Sequence, residues 1–254
     1  MKNINRRRYV LSFRSLVYFC IFFFLIIISY LLYFNKNNII EISKNIIQSF
    51  SENFEYQLTN IDISGLEKIE LKFVEEKLQN YLHSSIFLLP LHQINDSIKE
   101  NNWVKKIYLN TNYKDTLFIK IEEYEPIGIY FFNEKYFVFD ENGKIIDQIY
   151  FKSLTDQSLL IFKGNSSNLN ANLLINILKN NDFENKFHIE SLEFINKRRW
   201  DINLHSDVKL MLSEEDPNKS IQNFIMIQNK LSETDINNIK TYDLRNLKKT
   251  ILIN

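Results

Sequence analysis

From Leu16 to Phe34 the chain reads LVYFCIFFFLIIISYLLYF, with no charged residue. About 20 residues in a helix cover roughly 30 Å, the hydrocarbon thickness of a bilayer. A helix without a polar face cannot lie on the surface of a water-soluble domain. The run therefore predicts a transmembrane helix over 16–34. Lys2, Arg6, Arg7, Arg8 and Arg14 precede it without an acidic residue among them, whereas only Lys36, Glu41 and Lys44 follow it closely. The positive-inside rule makes residues 1–15 a basic cytoplasmic tail and places everything beyond about residue 35 outside. A cleaved signal peptide would need a shorter apolar core and a small-residue cleavage site.

Cys20 is the only cysteine and lies inside that run, so the exported part has no thiol to cross-link. Its folding must rest on packing alone. The formal net charge is zero, which gives no general attraction to nucleic acid. Ala171 is the only alanine, and the chain holds four glycines and three prolines against abundant Asn, Ile and Lys. That bias, as expected of mutational pressure on a genome, removes many ordinary turn signals.

Beyond the apolar run, residues 35–56 carry Ile39, Ile42, Ile46, Ile47 and Phe50 at roughly helical spacing, a juxtamembrane helix or linker. Leu58–Gly65 reads as a short strand. Leu71, Val74, Leu78 and Leu82 predict a helix over 70–82, and Pro90 opens a second one striped by Leu91, Ile94 and Ile98. Trp103–Tyr130 then holds two alternating runs. Ile107 and Leu109 mark the first, and Leu117, Ile119 and Ile121 the second, with Asn110–Asp115 as the turn. Pro126 cannot donate to a ladder, so the second strand should end, bulge or reach a sheet edge there.

The order is strand, helix, helix, strand, strand, an α+β unit with helices on one face of a small sheet. After Pro126 come further strands at 136–139, 144–146 and 159–162, and a helix around Leu173–Leu178. Strands then follow around Leu192–Phe194, Trp200–Leu204 and Val208–Leu212. Asp216-Pro217 is a cap and first-turn proline for a helix containing Ile221, Phe224, Ile225 and Leu231. Thr250–Ile253 forms a last strand. The division is thus 57–127 and 128–254, the second part a β-domain with flanking helices.

Chemistry needs convergent side chains. His83, His92, His188 and His205 are scattered, and no zinc, Walker, nucleophile-elbow or dinucleotide motif is present. Glu122, Glu123 and Glu125 fit a solvated strand end, and Asp140-Glu-Asn-Gly143 fits a turn rather than a calcium loop. Lys197-Arg198-Arg199-Trp200 is too short for a nucleic-acid groove. The residues point to neither catalytic activity nor a cofactor, metal or small-molecule substrate.

Several of these pieces resemble the FtsQ (DivIB) family of bacterial cell-division proteins, in its alphaproteobacterial form. Ile61-Asp-Ile-Ser-Gly65 is similar to that family's opening strand. Asn102-Trp103-Val104, the runs 107–113 and 116–121, and Glu123-Tyr-Glu125-Pro126 resemble its POTRA domain. Lys197–Leu204, Asp207–Leu210 and Asp243-Leu-Arg245 resemble its β-domain. Lys114, Ser158 or Leu159, and Ser206 depart from the family pattern, where Pro, an LP pair and Gly are usual.

The resemblance implies a non-catalytic, bitopic inner-membrane protein of the division septum: a cytoplasmic N-terminus, a βααββ POTRA domain at 57–127 and a periplasmic β-domain. It implies recruitment and regulation of FtsB and FtsL-like partners during septum formation, through a strand added to the terminal edge of the β-domain. Carried over by position, the edge is Thr250, Ile251, Leu252 and Ile253, with Tyr242, Asp243, Arg245 and Asn246 beside it. Arg198 or Arg199 would meet a partner carboxylate. The competing expectation is a membrane-anchored exported enzyme or ligand-binding module, which would show a deep pocket with converging polar groups.

Overall fold

The computed structural model describes residues 13–34, 36–150, 159–232, 236 and 238–253. Lys2, Arg6, Arg7 and Arg8 of the expected cytoplasmic tail, and Ser158, lie outside them. Helix α1 (Phe13–Phe34) takes up the apolar run, and α2 (Lys36–Asn53) follows it. Over the described residues no single helix has the length and hydropathy of a membrane span, so the expected transmembrane helix over 16–34 is not established by the fold. Val17–Leu31 and Lys36–Asn53, bent by 73°, meet that requirement as a pair. Packing gathers the chain into two compact units. Of the described residues, one comprises those from 13 to 64, Lys72–Ser97 and Tyr108–Lys120; the other comprises Gly65–Leu71, Ile98–Ile107 and those from Ile121 to Ile253.

The first sheet follows the expected order of elements: β1 (Asn60–Ser64), α3 (Leu71–Leu78), α4 (Leu91–Ile98), β2 (Val104–Thr111) and β3 (Thr116–Glu123). Its strand order is β1-β3-β2, with β1 parallel to β3 from Asn60↔Thr116 to Ser64↔Lys120. The alternation in β3 works as read: Leu117, Ile119 and Ile121 are buried while Phe118 is exposed. The turn before it is built on one side chain. Asn112 Oδ1 accepts the N–H groups of Lys114, Asp115 and Thr116 at 2.9, 3.0 and 3.0 Å, so the turn holds without a proline or glycine. Helix α4 starts directly after Pro90, whose carbonyl accepts from Ile94 N–H.

Glu123 is more than a solvated strand end. Its carboxylate accepts the backbone N–H groups of Glu67, Lys68 and Ile69 at 2.8–3.0 Å, tying the bend after β1 to the end of β3. Asp140 does similar work, accepting from Asn142 and Lys144 N–H within its turn.

The second sheet contains β4 (Gly128–Phe132), β5 (Lys135–Phe139), β6 (Ile145–Ile149), β7 (Ile161–Lys163) and, after α5 (Ser167–Asn180) and α6 (Phe183–Lys186), β8 (Ile189–Ile195). It continues with β9 (Arg199–Leu204), β10 (Lys209–Met211), then α7 (Pro217–Gln228), β11 (Thr241–Asp243) and β12 (Ile251–Ile253). Strand order is β12-β11-β10-β9-β8-β7-β4-β5-β6, with parallel joints at β4–β7, β7–β8 and β10–β11. Helix α5 packs on β4 and β7 and against α7.

The two helices bury Leu174, Leu178, Ile221 and Phe224 on a sheet face carrying Phe162, Leu192, Ile202, Leu210 and Tyr242. Trp200 belongs to the same core, with its ring centroid 4.6 Å from Phe194 and 5.8 Å from Phe162. Gly128 is required by close approach: a Cβ there would lie 2.6 Å from the Phe162 ring and 2.8 Å from that of Phe139. Asp216 caps α7 as expected, accepting from Lys219 N–H at 2.8 Å.

Candidate functional site

The site is the β12 end of the larger sheet. Register carries one row of residues across it, Leu192↔Ile202↔Leu210 and then Tyr242↔Leu252, with Leu210 opposite Tyr242 across the parallel joint. The first four are fully buried under α5 and α7, whereas Leu252, the outermost, is 40% exposed. The core row thus runs out into solvent at the sheet edge. Ile251 and Ile253, on the other face, are each 49% exposed. Among the described residues β12 has a neighbour on one side only. Apolar side chains on an unpaired edge make a template for another strand.

The connection from β11 to β12 is fastened to α7. Ser220 Oγ donates to Leu244 O at 3.1 Å, and Asn223 Nδ2 donates to Leu247 O at 3.3 Å. Leu244 is fully buried and its N–H donates to Met211 O. Asn246 Oδ1 accepts Lys248 N–H at 2.9 Å, an Asx turn that sends the chain back antiparallel.

Beside this loop lies an open cleft of about 1040 Å³. Arg198 and Arg199, Glu214 and Glu215, Asp243, Arg245 and Asn246, Lys248 and Lys249, and Ile251 line it. Asp243 is nearly buried, and Arg245 forks onto it, with Nε 2.8 Å from Oδ1 and Nη2 2.6 Å from Oδ2. Those bonds from Arg245 hold the Asp243 carboxyl below the usual aspartate range, and raise Arg245 in turn. Arg199 Nε donates to the buried Asp201 Oδ1 at 3.3 Å. Lys209 Nζ sits 2.9 Å from Asp201 Oδ2, an ion pair without the alignment of a hydrogen bond. Arg198 reaches Glu214 only at 3.8 Å, with both side chains more than half exposed.

The structure therefore brings Arg198, Arg199, Asp243, Arg245, Asn246 and Ile251 to one cleft, with Leu252 and Ile253 continuing along its edge strand. Two expectations change. Tyr242 does not face outward: its ring is fully buried, edge-on to Phe224 at 5.0 Å, and its hydroxyl accepts from Gln228 Nε2 at 2.8 Å. Burial pushes its phenol above the ordinary tyrosine value. Thr250 precedes β12, which starts at Ile251. Glu214, Glu215, Lys248 and Lys249 were not foreseen; the chain folds them onto the cleft from two separate loops, and no local motif marks them.

Residues 130–245 match the family described as "Cell division protein FtsQ/DivIB, C-terminal", and residues 57–124 match "POTRA domain, FtsQ-type". The cell division protein FtsQ of Rickettsia bellii is 31% identical over 207 residues, 81% of this chain and 74% of that protein. The chain belongs to the FtsQ/DivIB family. FtsQ of Rickettsia conorii is 28% identical over 82% of this chain and 76% of its own length. The protein of Bartonella bacilliformis is 24% identical over 68% and 55%. The match to the FtsQ/DivIB C-terminal description closes at Arg245, so the Asx turn and β12 lie just past it. As a member of the FtsQ family the chain is a cell-division protein.

Proposed function

We propose that this chain is a non-catalytic divisome scaffold, anchored in the inner membrane by residues 16–34. Its N-terminus is cytoplasmic, and its POTRA (57–127) and β-domain (128–254) stand outside at the septum. It recruits and regulates an FtsB–FtsL-like pair, whose extended segment adds as a further strand to β12. The observation that carries this reading is the buried row that ends on the exposed Leu252, at an edge with no further strand among the described residues. A partner strand antiparallel or parallel to β12 continues the ladder, and its alternate apolar residue extends the row Leu210–Tyr242–Leu252. Backbone bonds supply affinity there and side-chain pockets supply selectivity. The adjoining cleft suits an acidic flank on the partner, with Arg198 the least engaged of its arginines.

The test is capture of the FtsB–FtsL pair by the full-length protein in lipid nanodiscs. Leu252→Asp, which puts a charge at the end of the apolar row, should lower affinity at least about tenfold, the equivalent of 1.4 kcal/mol. Arg198→Glu should weaken binding by a smaller, salt-dependent factor. Undiminished capture by a folded Leu252→Asp protein refutes the edge as the docking site.

A further inference from the structure

Helix α2 is amphipathic in the reverse sense of an ordinary surface helix. Its polar side holds the protein: Gln48 Oε1 accepts Ser85 N–H at 3.0 Å, and Ser51 Oγ lies 2.6 Å from Ser85 Oγ, both serines fully buried. By the 3.6-residue period the opposite side presents Ile39, Ile42, Ile46 and Phe50, which are 42–65% exposed. Aromatic rings prolong this stripe past the helix end. Phe50 meets Phe54 at 4.6 Å and Tyr56 at 6.1 Å, and Tyr56 meets Phe87 at 5.6 Å, with Phe54 and Phe87 also exposed. Helix α2 has docked through Gln48 and Ser51, with Ile47 half-buried beside them, and left Ile39, Ile42, Ile46 and Phe50 outward.

We propose that this stripe lies on the outer leaflet of the membrane, with α2 along the interface and its apolar side chains among the headgroups and upper acyl chains. The proposal rests on the anchor reading above. Helix α2 begins two residues after α1 ends, so it starts at the bilayer surface. Its charged residues, Lys36, Glu41, Lys44 and Glu52, balance to zero, so the surface it fits is neutral and apolar rather than an anionic patch. Held at Ser85 on one side and in lipid on the other, α2 sets the height of the neighbouring fold above the bilayer.

The experiment uses the full-length protein with Cys20→Ser and single spin labels at Ile27→Cys, Ile42→Cys, Lys44→Cys or Ile46→Cys, in phosphatidylcholine vesicles free of anionic lipid. Collision with oxygen and with a water-soluble nickel chelate gives depth. Labels at 42 and 46 should sit about 5–10 Å below the phosphate plane while that at 44 stays in water. Raising the salt should leave those depths unchanged. Labels at 42 and 46 in water, with 27 in lipid, overturn the inference and leave the anchor standing; 27 in water overturns both. All of 42, 44 and 46 near the bilayer centre would mean a broken span. Shielding of 42 and 46 from both relaxants would mean a protein partner. Either result overturns the interfacial placement.

Discussion

Replacing Arg245 by methionine keeps most of the side-chain stem but takes both donors from the Asp243 carboxylate. That carboxylate is 11% exposed and would keep, among the described residues, the weak bond from Arg245 N–H at 3.2 Å and the more distant charge of Arg199. Two charge-assisted bonds in a dry setting would be worth about 1.5–3 kcal/mol each. Here the guanidinium is 52% exposed, and screening by water reduces the sum to about 1–2 kcal/mol. For a chain of this size that is roughly 2–8 °C of melting temperature. The pH dependence has a definite sign. The Asp243 pKa is depressed in the folded state, so its stabilisation is complete above the unfolded value near 4 and is lost as pH falls through the folded one. Thermal unfolding followed by near-UV circular dichroism should show a constant deficit for Arg245→Met from pH 7 to about 5, shrinking below about 4. An Asp243→Asn background should abolish that pH dependence. A deficit as large at the lowest pH where both proteins fold, or none at pH 7, refutes the assignment.

Gly128→Ala forces a methyl against the Phe162 and Phe139 rings and should cost about 1–3 kcal/mol in denaturant titration. Glu123→Ala removes the acceptor of three backbone N–H groups, of which only that of the buried Ile69 is shielded from water, and should cost about 1–2 kcal/mol, while Glu123→Gln, which keeps an acceptor, costs less. Tyr242→Phe loses the bond from Gln228, about 0.5–1.5 kcal/mol, yet leaves partner affinity unchanged because the ring faces the core. Spectrophotometric titration should find Tyr242 ionising after the exposed tyrosines, as its desolvation dictates.

Legibility in the sequence followed the strength of local signals. The alternation of Leu117, Ile119 and Ile121, the Asp216-Pro217 cap and the Pro90 helix start each name their own structure, because side-chain period and cap chemistry are local. Strand β4 escaped notice. Its residues GIYFF give no alternation, and its turn to β5 is Asn133-Glu134, both at positive φ without a glycine to mark them. Asn196-Lys197 makes the β8–β9 turn in the same way, and Asp207 rather than Ser206 takes the left-handed position before β10. A composition poor in glycine leaves such turns to Asn, Asp, Lys and Glu. Strand β11 is three residues long and exists because β10 pairs with it in parallel, a tertiary event. The face of Tyr242 was unreadable for a related reason: a shift of one residue in register would exchange core and solvent sides. The cleft was legible as a set of residue types, but the partnering of Arg199 with Asp201 and of Arg245 with Asp243 arose only on folding.

The central claim is that a partner strand pairs with β12. Hydrogen exchange of the full-length protein in nanodiscs, with and without saturating FtsB–FtsL pair, measures this at the backbone itself. Outward N–H groups within Ile251–Ile253 should gain protection of at least about tenfold on binding, as edge donors become ladder donors. The buried strands β8 to β10 should change little. Tight binding with no added protection anywhere in 251–253 would contradict strand addition and move the docking site elsewhere on the molecule.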